Sequence, residues 1–176
     1  MPINLDEITF ERLTPQHNVA VFSCDEEDLD YYLKSGKTLK YQEKGLGTTT
    51  LALYKDQIIG FYETRCAEIE IDESMATKLG INYITFLSVI EISLLGVHKD
   101  FQKQGLGTLM LENLLDDAID AKEWLGFSHL LVKSKPKAIS WYEKQGFMKT
   151  NLETYDGLTH MRLPVPDNHT VEKGVF

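Results

Sequence analysis

A glutamine and two glycines stand where an apolar strand must turn into an amphipathic helix. The run Val97-His98-Lys99-Asp100-Phe101-Gln102-Lys103-Gln104-Gly105-Leu106-Gly107-Thr108-Leu109-Met110-Leu111 begins β-like and ends with helical spacing. Such a junction gathers unpaired backbone N–H groups at the positive end of a helix dipole, which is chemistry suited to a phosphate. Glycine counts there because a Cβ would hold a diphosphate away from the backbone.

Two well-known phosphate loops do not fit. The nucleoside triphosphatase loop needs Lys-Ser/Thr after its last glycine, and Gly107 is followed by Thr108-Leu109. The dinucleotide GxGxxG needs a third glycine where Met110 stands. What remains, Gln102-x-x-Gly105-x-Gly107, resembles the (Q/R)xxGx(G/A) loop of the GNAT N-acetyltransferases, which binds the pyrophosphate of acetyl-coenzyme A. A second landmark, Ala138-Ile139-Ser140-Trp141-Tyr142-Glu143-Lys144-Gln145-Gly146-Phe147, is similar to that family's segment ending in Tyr-x-x-x-Gly-Phe. Two motifs in the right order, separated by a strand, make the chain resemble the family core from about Thr48 to Leu163.

The elements that must carry these residues are legible in outline. Ile8 to Leu13 alternates weakly as a strand stopped by Thr14-Pro15. Asp25 reads as the N-cap of a helix with Leu29, Tyr32 and Leu33 on one face, and a second helical piece spans Thr38 to Lys44. Thr48–Tyr54 and Ile58–Cys66 form a hairpin about Lys55-Asp56-Gln57. The second run continues to Asp72, with Ile69 and Ile71 on one face and Glu68, Glu70 and Asp72 on the other. That acidic face reads as a solvated surface or as a wall attracting a cation.

Glu73 to Leu79 is a short helix before Gly80. Ile84 to Val97, nearly all apolar, predicts a strand buried on both faces. A helix follows from Gly105 to about Glu123, then a strand at Ser128–Lys133 and a helix at Lys137–Gln145 ended by Gly146. Phe147-Met148-Lys149 and Leu158–Leu163 make the last hairpin, with Asp156-Gly157 as its turn signal. We expect one domain over 1–164 and a poorly ordered tail over 165–176. The fold class is α/β (α+β), and the resemblance implies a mostly antiparallel central sheet with splayed strands flanked by helices.

Composition narrows the class. In 176 residues, 43% are hydrophobic and 26% charged, as in a soluble globular domain. No apolar run is long enough to span a membrane, and the N-terminus lacks signal-peptide character, so a cytoplasmic protein is expected. Cys24, Cys66 and five scattered histidines match no metal or disulfide spacing. With 18 Lys and Arg against 27 Asp and Glu, the formal charge is −9, which repels nucleic acid and favours a cationic acceptor.

The resemblance implies direct transfer from acetyl-coenzyme A to a primary amine on a small molecule or protein. Tyr142 stands where many relatives keep a tyrosine near the thiol, as general acid. Glu91 is the leading base: it is the sole acid in its apolar run and stands where the histone-acetylating branch carries a strand glutamate. His98, just past the strand end, is a weaker candidate and reads more readily as an exposed loop residue. The main chain of Leu95 and Val97 is implied to pair with the pantetheine arm. The amides of Gln102, Lys103, Gln104, Gly105, Leu106 and Gly107, with Thr108, are implied by the resemblance to hold the pyrophosphate. Ser134 stands near where many relatives place an asparagine. Dimers are common in the family, so a homodimer is an expectation.

The opening Phe22-Ser23-Cys24, with Leu29-Asp30 and Leu33, resembles the acetyltransferase toxins that modify aminoacyl-tRNA. Charged tRNA is therefore the one nucleic-acid partner in view. A non-catalytic acyl-coenzyme A sensor is the reading from another class.

Overall fold

The computed structural model describes residues 3–81, 86–150 and 156–167. Along them run β1 (Thr9–Arg12), α1 (Glu27–Lys34), α2 (Lys37–Glu43), β2 (Thr48–Tyr54), β3 (Gln57–Glu70), α3 (Glu73–Leu79), β4 (Phe86–Val97), α4 (Leu106–Ala121), β5 (His129–Ser134), α5 (Ile139–Lys144), β6 (Met148–Lys149) and β7 (Thr159–Pro164). The strands neighbour one another in the order β1-β2-β3-β4-β5-β7-β6, and the pairs β1–β2, β2–β3, β5–β7 and β6–β7 are antiparallel. This is the mostly antiparallel α/β architecture that the resemblance implies. Ile84, the expected start of β4, and residues 168–176 of the expected tail lie outside the described residues. The chain forms two compact units, Met1–Arg65 with Ile92–Leu114 and Cys66–Glu91 with Leu115–Phe176.

In the first unit, the β2–β3 hairpin turns through Lys55 and Asp56, whose φ values are 50° and 63°. Two consecutive left-handed residues give the turn whose twist suits a hairpin, and Tyr54 pairs with Gln57 across it. The core gathers Leu13, Phe22, Leu33, Leu51 and Phe61, with Leu29 and Leu39 packed against it. Phe22 meets Phe61 edge to face at 5.3 Å; burying each such ring is favourable by about 1.5–3 kcal/mol.

The start of α1 differs from expectation. Asp25 has φ 61° and is not the N-cap; that position is Glu26, whose side chain makes no capping bond. Asp30 instead reaches back from within the helix to accept from Ser23 Oγ (2.8 Å), Cys24 N (2.9 Å) and Cys24 Sγ (3.2 Å). Burial opposes its charge, but these bonds and Lys34 outweigh burial and hold the carboxyl below its usual range. Burial and Asp30 together push the Cys24 thiol up to about 12, so it is inert.

In the second unit, Ile69, Ile71, Ala76, Leu87, Val89 and Leu131 form the core. Asp72 caps α3 by accepting from Met75 N at 2.7 Å, and Gly80, φ 69°, ends it. β4 is not buried on both faces here. Leu87 and Val89 are buried while Phe86 and Ser88 are exposed, a period-two pattern that apolar content alone hid. After β7, Val165 is buried; its N–H donates to Ser128 O, and Lys122 Nζ reaches both Val165 O and Asp167 at 2.7 Å.

Two tests of packing follow. A Cβ on Gly96 would stand 2.8 Å from the Phe61 ring, closer than packed carbons tolerate. Gly96→Ala is expected to destabilise the protein by about 1–3 kcal/mol in urea unfolding, the usual cost of overpacking. His129 is pulled down to about 4 by burial, Arg162 and Lys122. The unfolded chain binds its proton first, so the melting temperature should fall as pH drops from about 6.5 towards 4. His129→Phe should flatten that dependence.

Candidate functional site

At the strand-to-helix turn of the first unit, the backbone is tied down before it reaches the glycines. His98 N–H donates to Ile59 O and Lys99 N–H to Ser23 O, both at 2.8 Å. The His98 ring is buried, not an exposed loop group, and lies edge-on against Phe22 and Phe101. Its Nδ1 accepts from Asp100 N at 3.3 Å, so the imidazole belongs to the turn.

Gln102 is likewise a brace. Its Nε2 donates to Cys24 O at 3.0 Å and to Val97 O at 3.1 Å. Gln104 holds the other side, donating to Asp100 O at 3.2 Å and accepting from Ile3 N at 3.0 Å. Lys103 and Gly105 have φ of 60° and 88°, a backbone pattern found where successive amides converge on an anion. Leu109 N is the first amide of α4 to find an acceptor, at Gly105 O. Among the described residues, no acceptor is seen for the amides from Lys103 to Thr108. Those donors, at the positive end of a 16-residue helix, fit a diphosphate. Leu95 and Val97, half-buried near the end of β4, precede them in the same unit.

The other expected residues fall in the second unit. Glu91 is 4% exposed, and its Oε1 lies 3.6 Å from Lys133 Nζ. Ser134 is buried, and its hydroxyl donates to the next residue's carbonyl, Lys135 O, at 3.0 Å.

Tyr142 is placed by the way α5 ends. Gly146, φ 89°, lets its N–H reach Glu143 O while Phe147 N–H reaches Tyr142 O, both at 3.0 Å. This is the Schellman closure, and its usual apolar contact is made by Phe147 on Tyr142, ring centroids 5.3 Å apart. Trp141 packs on the other side at 4.8 Å. The motif Tyr-x-x-x-Gly-Phe is thus a helix stop that clamps its own tyrosine. Burial pushes the Tyr142 phenol well up, so it stays protonated throughout the neutral range.

The acidic face of β3 is divided. Glu70 and Asp72 line a cavity of about 380 Å³ together with Lys78, Lys149 and Arg162, so its wall carries both signs of charge. Glu68 lines another cavity with Cys66, Ser88 and Phe127. Among the described residues, no three His, Cys, Asp or Glu gather as a metal site, and no helix is long and apolar enough to cross a membrane.

Sequence reasoning passed over Glu63. It is 3% exposed, on β3, opposite Thr49 of β2 in the strand register. Ser93 Oγ donates to its Oε1 at 2.9 Å. Burial raises its carboxyl above the usual range, partly offset by Ser93, Arg65 and the facing Thr49 hydroxyl. The signal was available: like Glu91, it is a lone acid after an apolar run, Ile58-Ile59-Gly60-Phe61-Tyr62.

Comparison with known proteins finds this fold elsewhere. AtaT complexed with acetyl-methionyl-tRNAfMet is similar, at a TM-score of 0.78 and 19% identity over 94% of this chain and 98% of that one. A tyrosine-to-phenylalanine mutant of AtaT, bound to the C-terminus of the antitoxin AtaR and acetyl-CoA, gives 0.74 and 18% over 96% and 98%. A tyrosine-to-phenylalanine mutant of KacT gives 0.78 and 17% over 95% and 98%. At these identities the likeness is one of fold. The model of the acetyltransferase (GNAT) domain matches residues 26–163, and the chain belongs to the GNAT acetyltransferase family.

Proposed function

We propose that this acetyl-coenzyme A-dependent N-acetyltransferase moves the acetyl group directly onto a primary amine, with Tyr142 as general acid. The observation that carries the donor half is the run of unpartnered amides from Lys103 to Thr108 at the start of α4. They hold the diphosphate, and the main chain of Leu95 and Val97 receives the pantetheine arm as an added strand edge. The bound coenzyme supplies an acetyl thioester, an acyl group already activated for attack by nitrogen.

The chain supplies proton traffic. Tyr142, kept protonated by burial, gives its proton to the departing sulfur and regains one from the nitrogen, which loses it on becoming an amide. Its ring is held by Trp141 and Phe147, so removing the hydroxyl leaves the packing in place. Glu91, the base that the resemblance implies, has its Oε1 3.6 Å from Lys133 Nζ.

A second reading concerns the acceptor. AtaT has been captured with acetyl-methionyl-tRNAfMet and with its antitoxin AtaR, and KacTA with DNA, on this fold. The Phe22-Ser23-Cys24 and Asp30 segment, which resembles the opening of that branch, is a bonded structural element here. The amino group of a charged tRNA is a primary amine, so the chemistry is the same and an antitoxin becomes the expected partner. The charge of −9 weighs against a tRNA ligand. Arrest of growth on expression, with acetylated aminoacyl-tRNA recovered, favours this reading; undisturbed growth and turnover of small amines favour the first.

Tyr142→Phe is expected to lower kcat about 100- to 10,000-fold, the range for loss of a positioned acid. Coenzyme affinity by calorimetry should hardly change; equal loss of both makes Tyr142 structural. Gly105→Ala places a Cβ at φ 88°. The added strain of about 1–2 kcal/mol should weaken acetyl-coenzyme A binding roughly tenfold, with turnover at saturation nearly intact. No calorimetric signal with the native chain overturns the cofactor assignment.

A further inference from the structure

One cavity of the second unit is lined by charges of both signs that do not meet. Glu70 and Asp72 stand on its wall with Lys78, Lys149 and Arg162, around a volume of about 380 Å³. Lys149 is engaged elsewhere, with Glu143 at 3.2 Å, and one oxygen of Asp72 caps α3. Among the described residues, Glu70, Asp72, Lys78 and Arg162 make no ion pair. Opposite charges that share a small concave wall without pairing leave their attraction available to a ligand.

Arg162 carries the sharpest part of the case. It is half-buried on β7; its Nη1 donates to Met75 Sδ at 2.9 Å and lies 3.5 Å from His129 Nε2. A thioether is a weak acceptor, and His129, pulled down to about 4, is uncharged at neutral pH. Neither offsets the guanidinium. Its Nε–H and both Nη2 hydrogens have no partner among the described residues. Those donors form an edge of the guanidinium that grips a carboxylate by two parallel bonds.

The rest of the wall describes what that carboxylate belongs to. A simple anion on Arg162 would face Glu70 and Asp72 uncompensated, and a simple cation would face Lys78 and Arg162. A molecule carrying both charges a few ångströms apart meets both. Ile69, Ile71 and Met75 add an apolar stretch suited to an aliphatic side chain. A volume of about 380 Å³ is near the lower end of small-molecule sites and has room for an amino acid.

We propose that this cavity binds an α-amino acid with an aliphatic side chain, its carboxylate on Arg162 with Lys78 alongside and its ammonium facing Glu70 and Asp72. The site goes beyond the acetyl-transfer reading and does not rest on it, since every residue invoked lies outside the proposed coenzyme and proton-transfer machinery.

The test uses the full chain labelled with 13C at the methionine methyls, which places a reporter at Met75 on the cavity wall; Met75→Leu assigns its resonance. L-Leucine should shift that resonance saturably. 4-Methylpentanoate, which is leucine without its amino group, and 3-methylbutylamine, which is leucine without its carboxylate, should each bind about tenfold or more weakly, as for one lost charge-assisted pair. Glu70 is exposed, so Glu70→Gln should leave the fold intact. It should weaken leucine about three- to tenfold and leave 4-methylpentanoate unchanged. Arg162→Lys keeps the charge and loses the fork, so it should weaken both carboxylates and leave 3-methylbutylamine unchanged. A Met75 resonance unmoved by leucine, equal affinity for all three probes, or inorganic phosphate binding more tightly than leucine overturns the assignment. Failure of the native chain to bind acetyl-coenzyme A overturns the acetyl-transfer reading alone.

Discussion

The structure of the first unit depends on one side-chain amide. Gln102 Nε2 donates to two main-chain carbonyls, Cys24 O and Val97 O, and so joins the N-terminal segment to the end of β4 where the chain must turn. Without that brace, the left-handed residues Lys103 and Gly105 have no fixed frame, because positive φ is tolerated only where surroundings over-determine it. The amides of the turn are left to an outside acceptor because the side chains on either side of them are already engaged. The glutamine of the motif thus acts at one remove: it shapes the site that backbone donors form.

The second motif obeys a similar economy in the second unit. Tyr142 is held because it is the residue on which a Schellman closure lays its apolar contact, Phe147. Helix termination and placement of the proposed acid are one event, which accounts for the fixed spacing of tyrosine, glycine and phenylalanine. Burial does the rest, since an apolar seat disfavours the phenolate and keeps the proton available.

Acids show how surroundings sort residues of one type. Glu91 and Glu63 each follow an apolar run, and both are almost inaccessible. Glu91 has a lysine at 3.6 Å. Glu63 accepts from Ser93 Oγ and has the Thr49 hydroxyl and Arg65 acting on it, yet burial still raises its carboxyl. Glu70 and Asp72, which read as an anionic wall, share their cavity with Lys78, Lys149 and Arg162. Net charge alone therefore says little about where a cation would settle; desolvation and local partners decide.

The sequence by itself determined the element order, the glycine-bearing turn before α4, the hairpin at Lys55-Asp56 and the stop of α5. Each of these rests on local chemistry: left-handed backbone, missing Cβ, or the period of apolar residues. Only the tertiary structure decided which side chains have partners. His98 reads as an exposed loop residue and is packed between two rings. Asp25 reads as a cap, yet Asp30 satisfies the segment from inside the helix. β4 reads as buried on both faces and alternates in its first half. Hydrogen-bond satisfaction and burial are set by residues dozens of positions away, such as Thr49 and Ser93 around Glu63, and no local pattern along the chain records them.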